Sequence, residues 1–337
     1  MEKAAKANKL IFMDCYTEWC GPCKRLAKNV FPNDTVGRFF NEHFVCVKKD
    51  MEKGEGPELG KQYQINAYPT MLFVDPQTGK TAYRIVGFRQ GIQWLIEAGQ
   101  TALNPERNLL GAETDYQKHP QDAAIAKKYI DMLQEARLNA LRDSVLNAYL
   151  VGIAPADAAS EETWQILANQ VSDPYGSTFE YLAAHADGFR ASVGEKVVNE
   201  KIEKLYRHAV QRFIRRKRLP AEQFQQGMFD KLNGLLANYQ GTNAAYFRAQ
   251  MKMVGCVQQG DYNAMMDNLD AADKGGVVPA DMKFYFAWLN LTYLRESTDK
   301  KAIGRGLEWI EKLQPYLVDE SVKKACQSMK DEFQKKL

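Results

Sequence analysis

The chain has 337 residues, of which 45% are hydrophobic and 26% charged, and its formal net charge is +3. That length asks for two or three domains, and the composition is that of an ordinary soluble protein. Charge so close to balance gives no sign of a nucleic-acid or membrane partner, and no apolar run reaches the ~18 residues of a membrane span.

Met1 to Lys9 is charged and alanine-rich and lacks the apolar core of a secretory signal. Within it, Glu2 to Asn8 reads as the end of a helix. Leu10-Ile11-Phe12-Met13 is a continuous apolar run, the pattern of a strand buried on both faces. Asp14 to Trp19 reads as a connection. A helix is predicted from Cys20 to Val30, with Pro22 tolerated in its first turn. It breaks near Pro32, and a second helical piece covers Thr35 to Glu42. Phe44 to Val47 is a short strand and Glu55 to Tyr63 a helix. Thr70 to Val74 and Tyr83 to Val86 are strands joined by the turn residues Asp75-Pro76-Gln77-Thr78-Gly79. Ile92, Leu95, Ile96 and Leu103 then share one helical face. Alternation of this kind predicts a mixed sheet covered by helices.

Beyond Leu103 the texture changes. Residues 104–112, with Asn104-Pro105-Glu106-Arg107-Asn108, read as a linker. Residues 113–337 read as amphipathic helices split by Gly and Pro, an all-α helical-hairpin domain. Val198, Ile202, Leu205, Ala209 and Phe213 show the helical spacing. Ala249 to Val254 followed by Gly260-Asp261-Tyr262 and Leu269 carries a faint tetratricopeptide-like signature without a strict period.

Four of the six cysteines, Cys15, Cys20, Cys23 and Cys46, fall in the first 46 residues, while Cys256 and Cys326 stand alone. That clustering points to a site rather than to a framework of staples. Trp19-Cys20-Gly21-Pro22-Cys23 lies between a buried strand and a helix. A thiolate is the reactive form of cysteine, and a helix N-terminus stabilises it through free backbone N–H groups. Cys20 is then the exposed nucleophile. Cys23, one turn further in, closes the disulfide and releases a trapped partner. Gly21 and Pro22 shape the turn.

The segment from Phe12 to Lys24, with Ala67-Tyr68-Pro69-Thr70 before a strand and a late glycine at Gly87, resembles the thioredoxin family closely. The likeness spans residues 2 to 103. It implies a thioredoxin-like domain over 1–103, ahead of the linker and the helical domain. It also implies roles for single residues. Asp14 corresponds to the family's buried carboxylate, which moves protons for the inner cysteine. Pro69 should be cis and lie beside the disulfide. The backbone of Tyr68 should bind an extended substrate segment as an added strand, and Trp19 should shield the site.

Departures are equally specific. Cys15 stands where the family usually has an aromatic residue, Tyr68 is bulky for its position, and the family's first strand is missing. The helix-breaking Phe31-Pro32-Asn33-Asp34 insert resembles envelope thioredoxin-like proteins. It implies a periplasmic or cell-envelope location, reached from a precursor whose signal is removed, with the cytoplasm as the alternative.

Other readings compete. Cys15-x4-Cys20-x2-Cys23 with Cys46 matches plant-type ferredoxin spacing, but Cys15 and Cys46 both fall on predicted core strands. Zinc needs two further convergent ligands, and His43 is the only nearby histidine. Cys15 and Cys46 are expected as small buried hydrophobes, and Cys256 and Cys326 as helical core residues. Arg212, Arg215, Arg216, Lys217 and Arg218 read as a solvated helix C-terminus, and Phe284-Tyr285-Phe286-Ala287-Trp288 as a helix buried between neighbours.

The expectation is thus a thiol–disulfide oxidoreductase that reduces or isomerises protein disulfides through Cys20 and Cys23, with its helical domain selecting the partner. It needs no cofactor beyond the redox-active disulfide. Its partners are protein thiols and disulfides and an upstream electron-donor protein. The alternative is a binding scaffold in which the redox activity of a thioredoxin module is incidental.

Overall fold

A computed structural model describes residues 1–214, 218–317 and 319–337. Its contacts divide the chain into two units, Met1–Ala158 and Ala159–Leu337.

The first unit opens with α1 (Glu2–Lys6), β1 (Leu10–Tyr16), α2 (Gly21–Asn29), α3 (Asp34–His43), β2 (Phe44–Asp50) and α4 (Gly56–Gln62). It continues with β3 (Thr70–Val74), β4 (Thr81–Val86), α5 (Gln93–Leu103), α6 (Leu109–Lys118), α7 (Ala123–Glu135) and α8 (Asn139–Gly152). The four strands stand in the order β2-β1-β3-β4. β1 runs parallel to β2 and antiparallel to β3, and β3 pairs antiparallel with β4. This is the thioredoxin fold, a mixed sheet with helices on both faces, and the second unit is helical.

The alternation of side chains along β1 explains both layers. Ile11, Met13 and Cys15 face one core with Ala4, Tyr63, Leu72 and Val74. Phe12 faces the other, with Leu26 and Val30 at α2, Phe40 of α3, Met71 and Phe73 of β3, and Leu95 and Ala98 of α5. Aromatic rings dominate this second core. Phe12 lies 4.6 Å from Phe40 and 5.2 Å from Phe73, centroid to centroid, in tilted and edge-on arrangements.

Two sequence expectations change here. β1 extends through Asp14 and Cys15 to Tyr16, taking over half of the expected connection, because all seven residues pair in register with β2. Cys46 is exposed rather than buried. The run Phe44-Val45-Cys46-Val47 reads as apolar, but β2 is the edge of the sheet, so among the described residues its outer flank has no neighbouring strand. Cys15 is fully buried.

Residues 104–112 do not form a free linker. Asn108 donates its side-chain amide to the Ala102 carbonyl at 2.9 Å and accepts the Gly111 N–H at 2.9 Å. One buried side chain therefore ties the end of α5 to the start of α6. Glu113 of α6 pairs with Lys80 of the β3–β4 turn at 2.8 Å. A Cβ added at Gly111 would sit 1.6 Å from the Pro105 carbonyl oxygen. Backbone cannot yield as a flexible side chain would, so Gly111→Ala should lose roughly 1–3 kcal/mol of stability. Urea unfolding of the full chain measures this, and an unchanged midpoint would mean that the close crossing is not needed.

The second unit contains α9 (Glu161–Gln170), α10 (Ser177–Ala184), α11 (Ala186–Val193), α12 (Glu195–Phe213), α13 (Gln226–Asn238), α14 (Ala244–Gln259), α15 (Tyr262–Lys274), α16 (Lys283–Leu294), α17 (Lys300–Lys312) and α18 (Glu320–Lys336). Val198, Ile202, Leu205, Ala209 and Phe213 form the buried stripe of α12. Asp261 and Asp299 cap α15 and α17 by accepting the N–H groups of Ala264 and Ala302. Cys256 and Cys326 are buried. On α16, Phe286 is buried whereas Tyr285 is exposed, and Phe284 stacks on Trp288. Arg212 lies in the last turn of α12; Arg215, Arg216 and Lys217 of the same basic run lie outside the described residues.

Candidate functional site

The site is built where β1 hands over to α2. Cys20 is the N-cap of α2, Gly21 and Pro22 occupy its first turn, and the Cys20 sulfur accepts the Cys23 N–H at 3.1 Å. Pro22 has no N–H to lose and suits this position. Cys20 and Cys23 form a disulfide. The sequence marked Cys20 as exposed, but only 2% of its surface is open and 5% of Cys23. In the disulfide state the Cys20 sulfur turns inward, onto the first turn of α2 and onto Cys23.

The surroundings come from distant parts of the chain. Trp19 is 67% exposed. Its indole N–H donates to Glu52 Oε1 at 2.8 Å, and its ring meets Tyr68 edge-on at 5.9 Å. Glu18 pairs with Lys53. The Tyr68–Pro69 peptide bond is cis. The Pro69 carbonyl accepts the Gly87 N–H at 2.8 Å, and Gly87 adopts φ +94°, a conformation open mainly to glycine. Tyr68, Pro69 and Gly87 thus border one end of the β3–β4 pair.

Asp14 lies on β1, on the Phe12 face that α2 covers. It is 3% exposed, and its Oδ1 has no hydrogen-bond partner among the described residues. Burial pushes its carboxyl up to about 6, and the Lys48 ammonium of β2, directly across in the register, opposes that rise. Thr17 Oγ1 is likewise buried without a hydrogen-bond partner among the described residues. Cys15 belongs to the opposite face. Burial pushes its thiol up to about 12, with the neighbouring Asp14 adding to the rise. Such a thiol stays protonated and inert at neutral pH.

The sequence singled out Asp14, Trp19, Cys20, Gly21, Pro22, Cys23, Tyr68, Pro69 and Gly87. It missed Glu52 and Lys48, which are ordinary charged residues until β2 and the following loop bring them against Trp19 and Asp14. It also missed Arg84, a buried cation whose guanidinium donates to the Tyr63 and Gln64 carbonyls at 2.7 and 2.9 Å. Those carbonyls end α4, where a cation is favoured. Among the described residues no three His, Cys, Asp or Glu side chains converge in a metal-binding group.

A mixed sheet, with a dithiol at the N-terminus of the helix after its central strand, defines a thioredoxin-fold redox module. Residues 1–97 match the family model of the thioredoxin-like domain. A thioredoxin of Echinococcus granulosus is 33% identical over 99 residues, covering 29% of this chain and 85% of that protein. The thiol:disulfide interchange protein DsbD of Yersinia pestis is 32% identical over 94 residues, 27% of this chain but 16% of that protein. A solved structure of a candidate disulphide-isomerase from Bacteroides thetaiotaomicron shares 47% identity, covering 30% of this chain and 84% of that chain, with a TM-score of 0.27. The chain belongs, through its N-terminal third, to the thioredoxin family of thiol–disulfide oxidoreductases.

Proposed function

We infer that the protein reduces disulfides of other proteins. The observation that carries this reading is the Cys20 sulfur seated as the cap of α2, where the N–H of Cys23 and the helix dipole favour a thiolate. In the reduced state the Cys20 thiolate attacks one sulfur of a substrate disulfide. A Cys20–substrate bond forms, the substrate S–S bond breaks, and the second substrate sulfur leaves as a thiolate that takes a proton from solvent. Cys23 then gives its proton to the Asp14 carboxylate and attacks the Cys20 sulfur, closing the Cys20–Cys23 bond. The first substrate sulfur departs and is protonated. Two electrons have passed to the substrate, and a dithiol electron-donor protein must return them.

Tyr68 offers its backbone to an extended substrate segment, and Trp19 covers the approach. The Gly-Pro pair between the cysteines is that of thioredoxin, whose potential is reducing. The helical unit selects the partner, and its capped hairpins α14–α15 and α16–α17 suit a stacked, tetratricopeptide-like arrangement. The proposed setting is the periplasm or cell envelope, on the likeness of the Phe31-Pro32-Asn33-Asp34 insert to envelope thioredoxin-like proteins.

The test is a trap. Reduced Cys23→Ala should accumulate a mixed disulfide through Cys20 with disulfide-containing protein substrates, resolved by mass spectrometry, while the wild-type chain accelerates insulin reduction. An absence of any adduct, together with no insulin reduction, would defeat the reading.

A further inference from the structure

We propose that the groove between α2 and the segment Phe88–Gly91 is a specificity subsite for an acidic side chain of the substrate polypeptide, about two residues from the cysteine under attack. The proposal rests on the reductase reading and names the substrate class it prefers.

The groove holds about 690 Å³ and is lined by Arg25, Asn29, Val30, Phe88, Gln90 and Gly91. Arg25 and Asn29 are four apart on α2, so both side chains line the same wall. The Arg25 guanidinium lies 5.5 Å from the centre of the Phe88 ring, an orienting contact that leaves its charge unneutralised. Arg25 makes no ion pair among the described residues. The two walls, residues 21–30 and 87–91, hold the cations Lys24, Arg25, Lys28 and Arg89 and no Asp or Glu at all. Of the four, Arg25 lines the groove itself, and the others lie on the same two segments. On the other side of the dithiol Glu18 pairs with Lys53, while Glu52 accepts the uncharged Trp19 indole N–H and keeps its negative charge. The positive charge free of ion pairs therefore gathers on the α2 side.

Position connects the groove to the chemistry. Arg25 is five residues beyond Cys20, about 7.5 Å along the helix axis at ~1.5 Å per residue. An extended peptide advances ~3.3 Å per residue, so a side chain about two residues from the trapped cysteine reaches it. Phe88 follows Gly87, whose N–H holds the Pro69 carbonyl next to Tyr68, so the groove continues the surface where a substrate strand would lie. Phe88 offers apolar contact to the methylenes of a glutamate, and Arg25 its charge to the carboxylate.

The experiment uses the full chain and disulfide peptides that differ only in Glu or Lys two residues from the cysteine, on either side. Each kcat/KM is divided by the same variant's rate on hydroxyethyl disulfide. The wild type should favour the Glu peptide by about two- to fivefold, the range of a partly exposed ion pair, and the preference should shrink at high salt. Arg25→Gln should level the two peptides, and Arg25→Glu should reverse their order. Equal wild-type rates, or a preference that survives Arg25→Glu, would overturn the subsite while hydroxyethyl disulfide turnover keeps the reductase reading intact. Failure to reduce any of these disulfides would overturn both.

Discussion

Cys20→Ser should abolish insulin reduction, by at least about a thousandfold, the scale on which removing a nucleophile acts, while leaving the fold in place. The reasoning starts from the two tasks Cys20 performs. As a nucleophile it has no substitute, because a serine hydroxyl is not ionised near neutral pH and cannot form a mixed disulfide. As the N-cap of α2 its sulfur accepts the Cys23 N–H, a role serine fills well. Urea unfolding of the variant and of the reduced wild type should therefore agree within ~1 kcal/mol. Retained insulin reduction would sink the assignment of Cys20 as attacking group. Lost activity with a large fall in stability would instead mean that the cap had failed. A scaffold whose redox chemistry is incidental also predicts the loss of insulin reduction in vitro but no effect on partner binding, so the same variant separates the two readings in a binding assay.

The first hundred residues were legible because several local signals agree. An apolar strand, a proline tolerated at a helix start, a turn of suited residues and alternating elements all fit one arrangement. What lay hidden depends on position within the fold. Phe44-Val45-Cys46-Val47 looks like core, yet Cys46 is exposed because β2 has a strand on one side only. The division of the chain after Ala158 was equally hidden. Residues 104–108 have linker composition, and only the contacts of Asn108 with both neighbouring helices show that α6 continues the first unit. Glu52 and Trp19, 33 residues apart, and Arg25 and Phe88, further still, are brought together by topology that no local period records.

Asp14 tests the link between folding and chemistry most directly. Its carboxyl rises from 3.8 to about 6 because burial penalises the charged form. Below pH 3.8 the acid is neutral in the folded and unfolded chain alike, and its titration costs nothing. Between 3.8 and about 6 the unfolded chain ionises first, so stability falls as pH rises. Above about 6 the cost is complete, and at about 1.4 kcal/mol per pKa unit it amounts to roughly 3 kcal/mol. Asp14→Asn removes the charge while keeping the shape. The variant should be more stable than the wild type by roughly that amount at pH 7, and the gain should vanish below about pH 4. Turnover should move the other way. Without a carboxylate to take the Cys23 proton, release of the mixed disulfide should slow by about tenfold or more, and the rise in rate through pH 6 should disappear. Urea midpoints from pH 3 to 8 and single-turnover release rates over the same range check both halves. A stability gain that does not change with pH would assign the effect to shape or hydrogen bonding, and an unchanged release rate would remove Asp14 from the proton path. Both effects together would show that the folded state tolerates a destabilising buried charge because the Cys23 step needs a proton acceptor that titrates near neutrality.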